Sequence, residues 1–188
     1  MLIKIHRGAN EIGGTCIQLS TDKTTILLDL GLPLKKESKD PDLSGLKIDG
    51  VLISHPHADH FGLIDTLDPS VPVYIGELGR RLIDATRVLL RKEQYKNDFR
   101  FFSAWKPFRI GDFKITPYLV DHSATDSYAF WLKLRVSEYS IAVISADMAE
   151  RQSYMRTLSV IRRKILTFSL WKAVCLAEIM GIFQQKSR

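Results

Sequence analysis

The chain has 188 residues, 45% of them hydrophobic, which is enough to bury one good core and favours a single domain. Two distant cysteines, Cys16 and Cys175, exclude a disulfide framework and a cysteine-rich metal site, and they predict a reduced, cytoplasmic protein. The net charge of +6 does not indicate a basic folded body, because residues 1–148 hold equal numbers of basic and acidic residues and the excess lies in residues 149–188.

Apolar segments that alternate with polar residues, or that run between turn residues, predict a chain built mainly from strands. Ten strands are expected, at 2–6, 15–20, 24–29, 50–54, 71–75, 99–102, 108–110, 113–120, 127–134 and 140–145. Helices are predicted at 61–67 and 77–94, and the second carries its apolar residues on one face, at Leu78, Leu82, Ala85 and Leu89. Its arginines could attract phosphates, but a solvated face is the more common role. This order predicts a layered α/β sandwich with ligand loops at one sheet edge.

Three imidazoles and a carboxylate follow the apolar strand 50–54 within six residues, in the segment His55-Pro56-His57-Ala58-Asp59-His60. Residues two apart on an extended segment project to the same side, so His55 and His57 can converge on one ion. Asp59 and His60, one turn further on, can reach a neighbouring ion. The spacing therefore suits two metals of the zinc type, with one position open for a water whose pKa falls towards ~7. The alternative is a polar surface turn whose histidines are solvated or cap a helix.

The HxHxDH motif at residues 55–60 resembles that of the metallo-β-lactamase superfamily, and more closely its ribonuclease J-like, RNA-processing branch. Three further segments match in order and rough spacing: Asn10–Thr15, Leu27–Pro33 and Val120–Tyr128. The resemblance covers residues 1–148. It implies an αββα metallo-β-lactamase-like sandwich, incomplete at its C-terminal end, with residues 1–148 as the domain and residues 149–188 as a basic C-terminal segment.

The resemblance also implies a set of metal ligands. His55, His57 and His122 would bind the first ion, Asp59 and His60 the second, and Asp147 would bridge both. Taken alone, His122 could equally be a hydrogen-bonded loop histidine and Asp147 an ordinary residue at a strand end. The family's last ligand histidine has no candidate, because the chain contains no histidine after His122.

Three other residues are expected near this centre. Asp29 ends an apolar strand, where a buried carboxylate needs a partner, and the family uses this aspartate to orient a ligating histidine. The alternative is that Asp29 hydrogen-bonds the backbone of the turn at Gly31. In the RNA-processing branch Ser123 and Ser127 would lie near the bound phosphate, although serines in such loops more often act as turn residues.

Residues 149–188 depart from the family pattern and are too charged for a membrane span. They are consistent with a divergent helix closing the sandwich, a basic amphipathic helix, or a terminus altered by truncation or a frameshift. Because the apolar residues of 166–176 form no clean stripe, the third interpretation is favoured.

The predicted function is hydrolysis by a metal-bound hydroxide, with Asp59 or Asp147 orienting the nucleophile and two zinc ions per chain, or manganese, meeting the charge of the transition state. Phosphodiester cleavage in RNA or DNA is the first expectation. The resemblance to the family also suggests a homodimer. Small-molecule thioester or phosphoester hydrolysis is the alternative within the fold. A non-catalytic remnant is the alternative from another class, motivated by the missing histidine.

Overall fold

Two sheets carry most of the chain in the computed structural model, which describes residues 1–9, 11–35, 39–134, 140–144 and 165–169. The first sheet contains β1 (Leu2–Arg7), β2 (Cys16–Ser20), β3 (Thr25–Leu28), β4 (Gly50–Leu52), β5 (Val73–Gly76) and β6 (Phe99–Phe102), in that order. The second contains β7 (Phe108–Ile110), β8 (Phe113–Leu119), β9 (Tyr128–Leu134), β10 (Ser140–Ile144) and β11 (Ile165–Ser169), also in chain order. All ten predicted strands are therefore confirmed.

Strand direction determines where the loops of the first sheet meet. Strands β1 to β3 are antiparallel, whereas β3, β4, β5 and β6 run parallel to one another. The carboxyl ends of β3, β4 and β5 therefore share one edge, which is where parallel sheets present their functional loops. The second sheet is antiparallel from β7 to β10, and β11 joins β10 in parallel.

The central strands of the first sheet, β3 to β5, are buried on both faces. Their alternate residues enter two separate apolar clusters, so that Leu28 and Leu52 pack against the second sheet while Leu27 and Val51 face away from it. The cluster between the sheets is filled by large side chains such as Phe113 and Phe130 of the second sheet. Near-continuous apolar strands such as β3 and β4 are what such a middle layer requires. The predicted α/β layering is thus confirmed; a second helical layer beyond β7 to β11 falls outside the described residues.

The helices differ from the predicted bounds. The helix predicted at 61–67 begins earlier, because α1 spans Ala58–Phe61. The rest of the predicted segment contains a 3-10 turn at Ile64–Thr66. The second half of the HxHxDH motif itself forms the helical turn of α1. Helix α2 spans Glu77–Leu89 and ends before residue 94, since Arg91 has a left-handed φ of 53°. In the described part of the chain no helix is both long and apolar enough to cross a membrane.

The apolar face predicted for α2 points to solvent rather than to the core. Leu78, Leu82 and Leu89 are 46%, 41% and 83% exposed, whereas the buried positions of the helix are Gly79 and Ile83. Ile83 packs in the same cluster as Ile75 of β5, and a Cβ atom at Gly79 would lie 3.6 Å from the Ile75 side chain. The Arg80 side chain also contacts the sheet, with its guanidinium 3.6 Å from the centre of the Phe99 ring.

The Cys16 thiol provides a test of this core. It is fully buried on β2, and burial, followed by the nearby charge of Asp29, raises its pKa to about 12. Because only the thiolate reacts, we expect alkylation of Cys16 by iodoacetamide at pH 8 to be at least about a hundredfold slower in the folded protein than in urea. Peptide-level mass spectrometry separates Cys16 from Cys175. Rapid labelling of Cys16 without denaturant would contradict the packing described here.

Candidate metal centre

Three histidines converge at the shared edge of the two sheets. His55 follows β4, His57 is the residue before α1, and His122 lies in the loop between β8 and β9. One ring nitrogen from each lies within 4.8 Å of the others, close enough to share one ion. The His55 side chain is buried, while His57 and His122 are half-buried. The structure therefore assembles the three residues that the sequence assigns to the first metal.

Asp59 and His60 of α1 form a second group beside the first. The Nε2 atom of His60 is 3.6 Å from Oδ2 of Asp59, and the ring centres of His60 and His55 are 3.9 Å apart. An ion held by this pair would thus neighbour one held by the three histidines. Asp147, the predicted bridging ligand, lies outside the described residues.

Asp29 and Ser54 together connect the two groups. The Asp29 carboxylate accepts hydrogen bonds from the Ser54 backbone N–H at 2.7 Å and the Ser54 hydroxyl at 2.9 Å. Its Oδ2 atom lies 2.7 Å from Nδ1 of His60, and the Ser54 oxygen lies 2.9 Å from Nδ1 of His55. Both imidazoles are thereby oriented through Nδ1, with Nε2 on the opposite side of each ring. The sequence analysis did not identify Ser54. The one feature that could have indicated its role is a single hydroxyl at the end of an apolar run.

Backbone hydrogen bonds hold α1 in place. The Leu30 N–H donates to the His60 carbonyl at 2.8 Å and the Leu32 N–H to the Ala58 carbonyl at 3.0 Å. The Thr15 N–H donates to the Asp59 carbonyl at 3.1 Å. Gly31 lies so close to this helix that a Cβ atom would overlap the Asp59 carbonyl group. The segments around Thr15 and Gly31 therefore position the motif.

The loop that carries His122 is anchored by Asp126, which sequence reasoning also missed. One Asp126 oxygen accepts from the backbone N–H of Gly79 in the first turn of α2, and the other from the Tyr128 hydroxyl, both at 2.6 Å. A carboxylate is favourable at a helix N-terminus. The sequence shows an aspartate among turn residues, but it does not indicate that the partner of this aspartate is Gly79, 47 residues away.

The two predicted substrate serines occupy different environments. Ser123 is exposed next to His122, whereas Ser127 is buried and its hydroxyl donates to the Ala124 carbonyl at 2.7 Å. The Ser127 geometry favours the alternative role of a turn residue.

The electrostatics of the cluster suit a cation. Burial, followed by the neighbouring imidazoles, lowers the pKa of His55 to about 2, and burial also lowers the pKa of His57. Burial acts in the same direction on His60, but the charge and hydrogen bond of Asp29, with Asp59, outweigh it and raise its pKa. Neutral imidazoles are the form that binds a metal, so the lowered pKa values of His55 and His57 favour metal binding, whereas at His60 a metal would compete with a proton. The donor set of three imidazoles, with an aspartate and a histidine adjacent, therefore fits a metal of the zinc type.

Comparisons with known proteins identify the family of this chain. Residues 10–81 match the family model of the metallo-beta-lactamase superfamily. The "Probable RNase MJ4" of Methanocaldococcus jannaschii is 45% identical over a region that covers 46% of this chain and 21% of that protein. The Helicobacter pylori "Ribonuclease J" is 30% identical over 68% of this chain and 20% of that protein. The chain thus spans about a fifth of the length of these curated relatives.

Solved structures show the same fold. A protein of unknown function from Enterococcus faecalis superimposes with a TM-score of 0.73 at 17% identity, covering 99% of this chain and 52% of that one. The metallo-beta-lactamase fold protein YhfI of Bacillus subtilis superimposes with a TM-score of 0.58 at 18% identity, covering 82% of this chain and 66% of that one.

Replacement of Gly31 by alanine tests the close approach of Gly31 to α1. Because the new methyl group must displace the Asp59 carbonyl, we expect the free energy of unfolding of the metal-free protein to fall by about 3 kcal/mol in a urea titration. The matched control is Gly45→Ala. Gly45 has a φ of 71°, but no atom lies within 4 Å of the position that a Cβ would take. We therefore expect this substitution to lower the free energy of unfolding by only about 1 kcal/mol, from backbone strain alone. Equal losses in the two variants would contradict the proposed contact.

Proposed function

Because the chain has the metallo-β-lactamase fold and ribonuclease J-like homologues, we propose that it is a metal-dependent hydrolase of phosphodiester bonds in nucleic acid, with RNA as the first substrate class. The observation that supports this most strongly is the convergence of His55, His57 and His122 beside Asp59 and His60. A solvated surface turn would not bury His55 or orient two imidazoles from one carboxylate.

The proposed ligands follow from this arrangement. His55, His57 and His122 would hold one ion, Asp59 and His60 a second, and Asp147 would bridge them. Zinc suits imidazole and carboxylate donors, with manganese as the alternative. When bound, such ions supply Lewis acidity that activates water and stabilises negative charge on phosphorus.

The chain's own residues would prepare the site for this chemistry. Asp29 and Ser54 hold His55 and His60 through Nδ1, which favours the proton on Nδ1 and leaves the Nε2 lone pair of each neutral ring as the metal donor. The Asp59 carboxylate is 22% exposed, which allows it to orient a nucleophilic water and accept its proton, a role that Asp147 would share. We assign the phosphate contact to the exposed hydroxyl of Ser123, and a loop-forming role to Ser127.

Metal content and hydrolysis test this proposal together. The full chain, purified without chelator, should contain close to two metal equivalents and hydrolyse both bis-p-nitrophenyl phosphate and a labelled RNA. We expect His57→Ala to lower turnover at least about a hundredfold, since it removes a ligand. The matched control is His6→Ala, because His6 lies on β1, where its ring is bonded to Gln18 away from the cluster.

Other outcomes would contradict the proposal in different ways. One equivalent or none, without turnover, would support the non-catalytic alternative that the missing histidine suggests. Turnover of small phosphoesters or thioesters without cleavage of RNA would support the small-molecule alternative.

Asp29→Asn tests the positioning role of the buried carboxylate. The variant keeps the shape of the side chain but presents neither two acceptors nor a negative charge to Ser54 and His60. We expect zinc affinity, measured by competition with a chromophoric chelator, to fall about 10- to 100-fold. Asp22→Asn, in the exposed turn between β2 and β3, is the control and should bind zinc like the wild-type chain. Unchanged zinc affinity in Asp29→Asn would exclude a positioning role for Asp29.

A further inference from the structure

Three basic side chains form a row across the second sheet. In the strand register Arg109 lies opposite Lys114 and Lys114 opposite Lys133, so all three occupy one line on β7, β8 and β9. Each is exposed, and the strands that carry them contain no aspartate or glutamate. We call this line the basic row.

The row is energetically unusual, because like charges directly opposite one another on neighbouring strands repel. Among the described residues no carboxylate forms an ion pair with any member of the row. The arginines of α2 differ in this respect: Arg80 pairs with Asp84 at 2.8 Å and Arg81 with Glu77 at 2.6 Å. An anion from outside the chain would therefore relieve a repulsion in the row, whereas on α2 it would have to displace a carboxylate.

An exposed aromatic pair lies on the same face. Residues two apart on a strand share a side, so Tyr118 projects from β8 on the side of Lys114, about 14 Å further along the strand. The Trp105 ring packs edge-on against Tyr118, with 4.9 Å between ring centres, and is 56% exposed. The face thus offers cations at one end and an accessible indole at the other, nearer to the loop that carries His122.

We propose that this face, formed by the basic row and Trp105, binds single-stranded RNA outside the metal centre. Cations that track phosphates combined with aromatic rings that stack on bases are the two elements of single-strand recognition. A duplex would leave Trp105 without a base to stack on, and an acidic protein segment would make no use of the indole. The choice of RNA rests on the proposed function. The position of the face is consistent with this choice, because β8 runs from the face towards the loop that carries His122.

Binding of a fluorescein-labelled, 15-nucleotide oligouridylate to the full chain, in the presence of chelator, tests the row. Each phosphate contact to a single strand contributes about 0.7 to the slope of log affinity against log salt. Lys114→Gln with Lys133→Gln should therefore reduce the slope by about 1.4 and weaken binding about 25-fold at 0.1 M salt. The matched control, Lys23→Gln with Lys92→Gln, removes the same charge from exposed sites elsewhere and should change both quantities much less.

Trp105→Ala tests the stacking contribution separately. Loss of one stacked base should weaken binding at least about fivefold without altering the salt slope. Phe101→Ala is its control, because Phe101 is 57% exposed but lies on β6 of the other sheet. Thermal unfolding of the lysine variant should show no loss of stability, since the substitutions remove a repulsion.

The outcomes separate this inference from the proposed function. Row variants should keep wild-type turnover of bis-p-nitrophenyl phosphate, which is too small to reach the row from the metal centre. Row-dependent RNA binding by a chain without hydrolytic activity would refute the proposed function and leave the inference standing. Equal effects in the row and control pairs, unchanged RNA binding, or displacement of RNA by an equal charge of poly-glutamate would each overturn the inference.

Discussion

The contact between Asp29, Ser54 and His60 is the interaction on which the candidate centre depends. A carboxylate that is completely buried at the end of a strand is costly unless its oxygens are hydrogen-bonded, and here a backbone N–H, a hydroxyl and an imidazole meet that need. Asp29 directly follows β3, Ser54 follows β4 and His60 lies in α1. The same contact therefore stabilises the buried charge, joins three segments and orients two imidazoles.

The second sheet completes the centre by attaching to the same point. The backbone N–H of Tyr128, at the start of β9, donates to the Ser54 carbonyl at 2.9 Å, and Asp126 ties the adjacent loop to α2. His122 consequently approaches His55 and His57 from the opposite sheet, although it is distant from them in sequence. A site divided between two sheets needs both to be packed before it exists, so metal binding and folding should be coupled.

Sequence alone predicted the strands because alternation and apolar runs report the two buried faces of β3 and β4 directly. It also predicted that His55, His57 and His122 converge, since five of the six proposed ligands lie in two short motifs. It could not predict the burial of α2, because a periodic stripe defines one face of a helix without saying which side meets the sheet. The roles of Ser54 and Asp126 were equally inaccessible, since each depends on a partner that only tertiary packing brings close.

Nitrogen-15 NMR of the histidine rings, before and after zinc addition, tests the central claim most directly, because it reports each imidazole separately. We expect the Nδ1 atom of His60 to be protonated in the metal-free protein, because it faces the Asp29 carboxylate. Zinc should then shift the nitrogens of His55, His57, His60 and His122, while His6, bonded to Gln18, stays unchanged. Zinc-induced shifts at His6 equal to those of the cluster, or no shift at His55, His57 and His122, would contradict it.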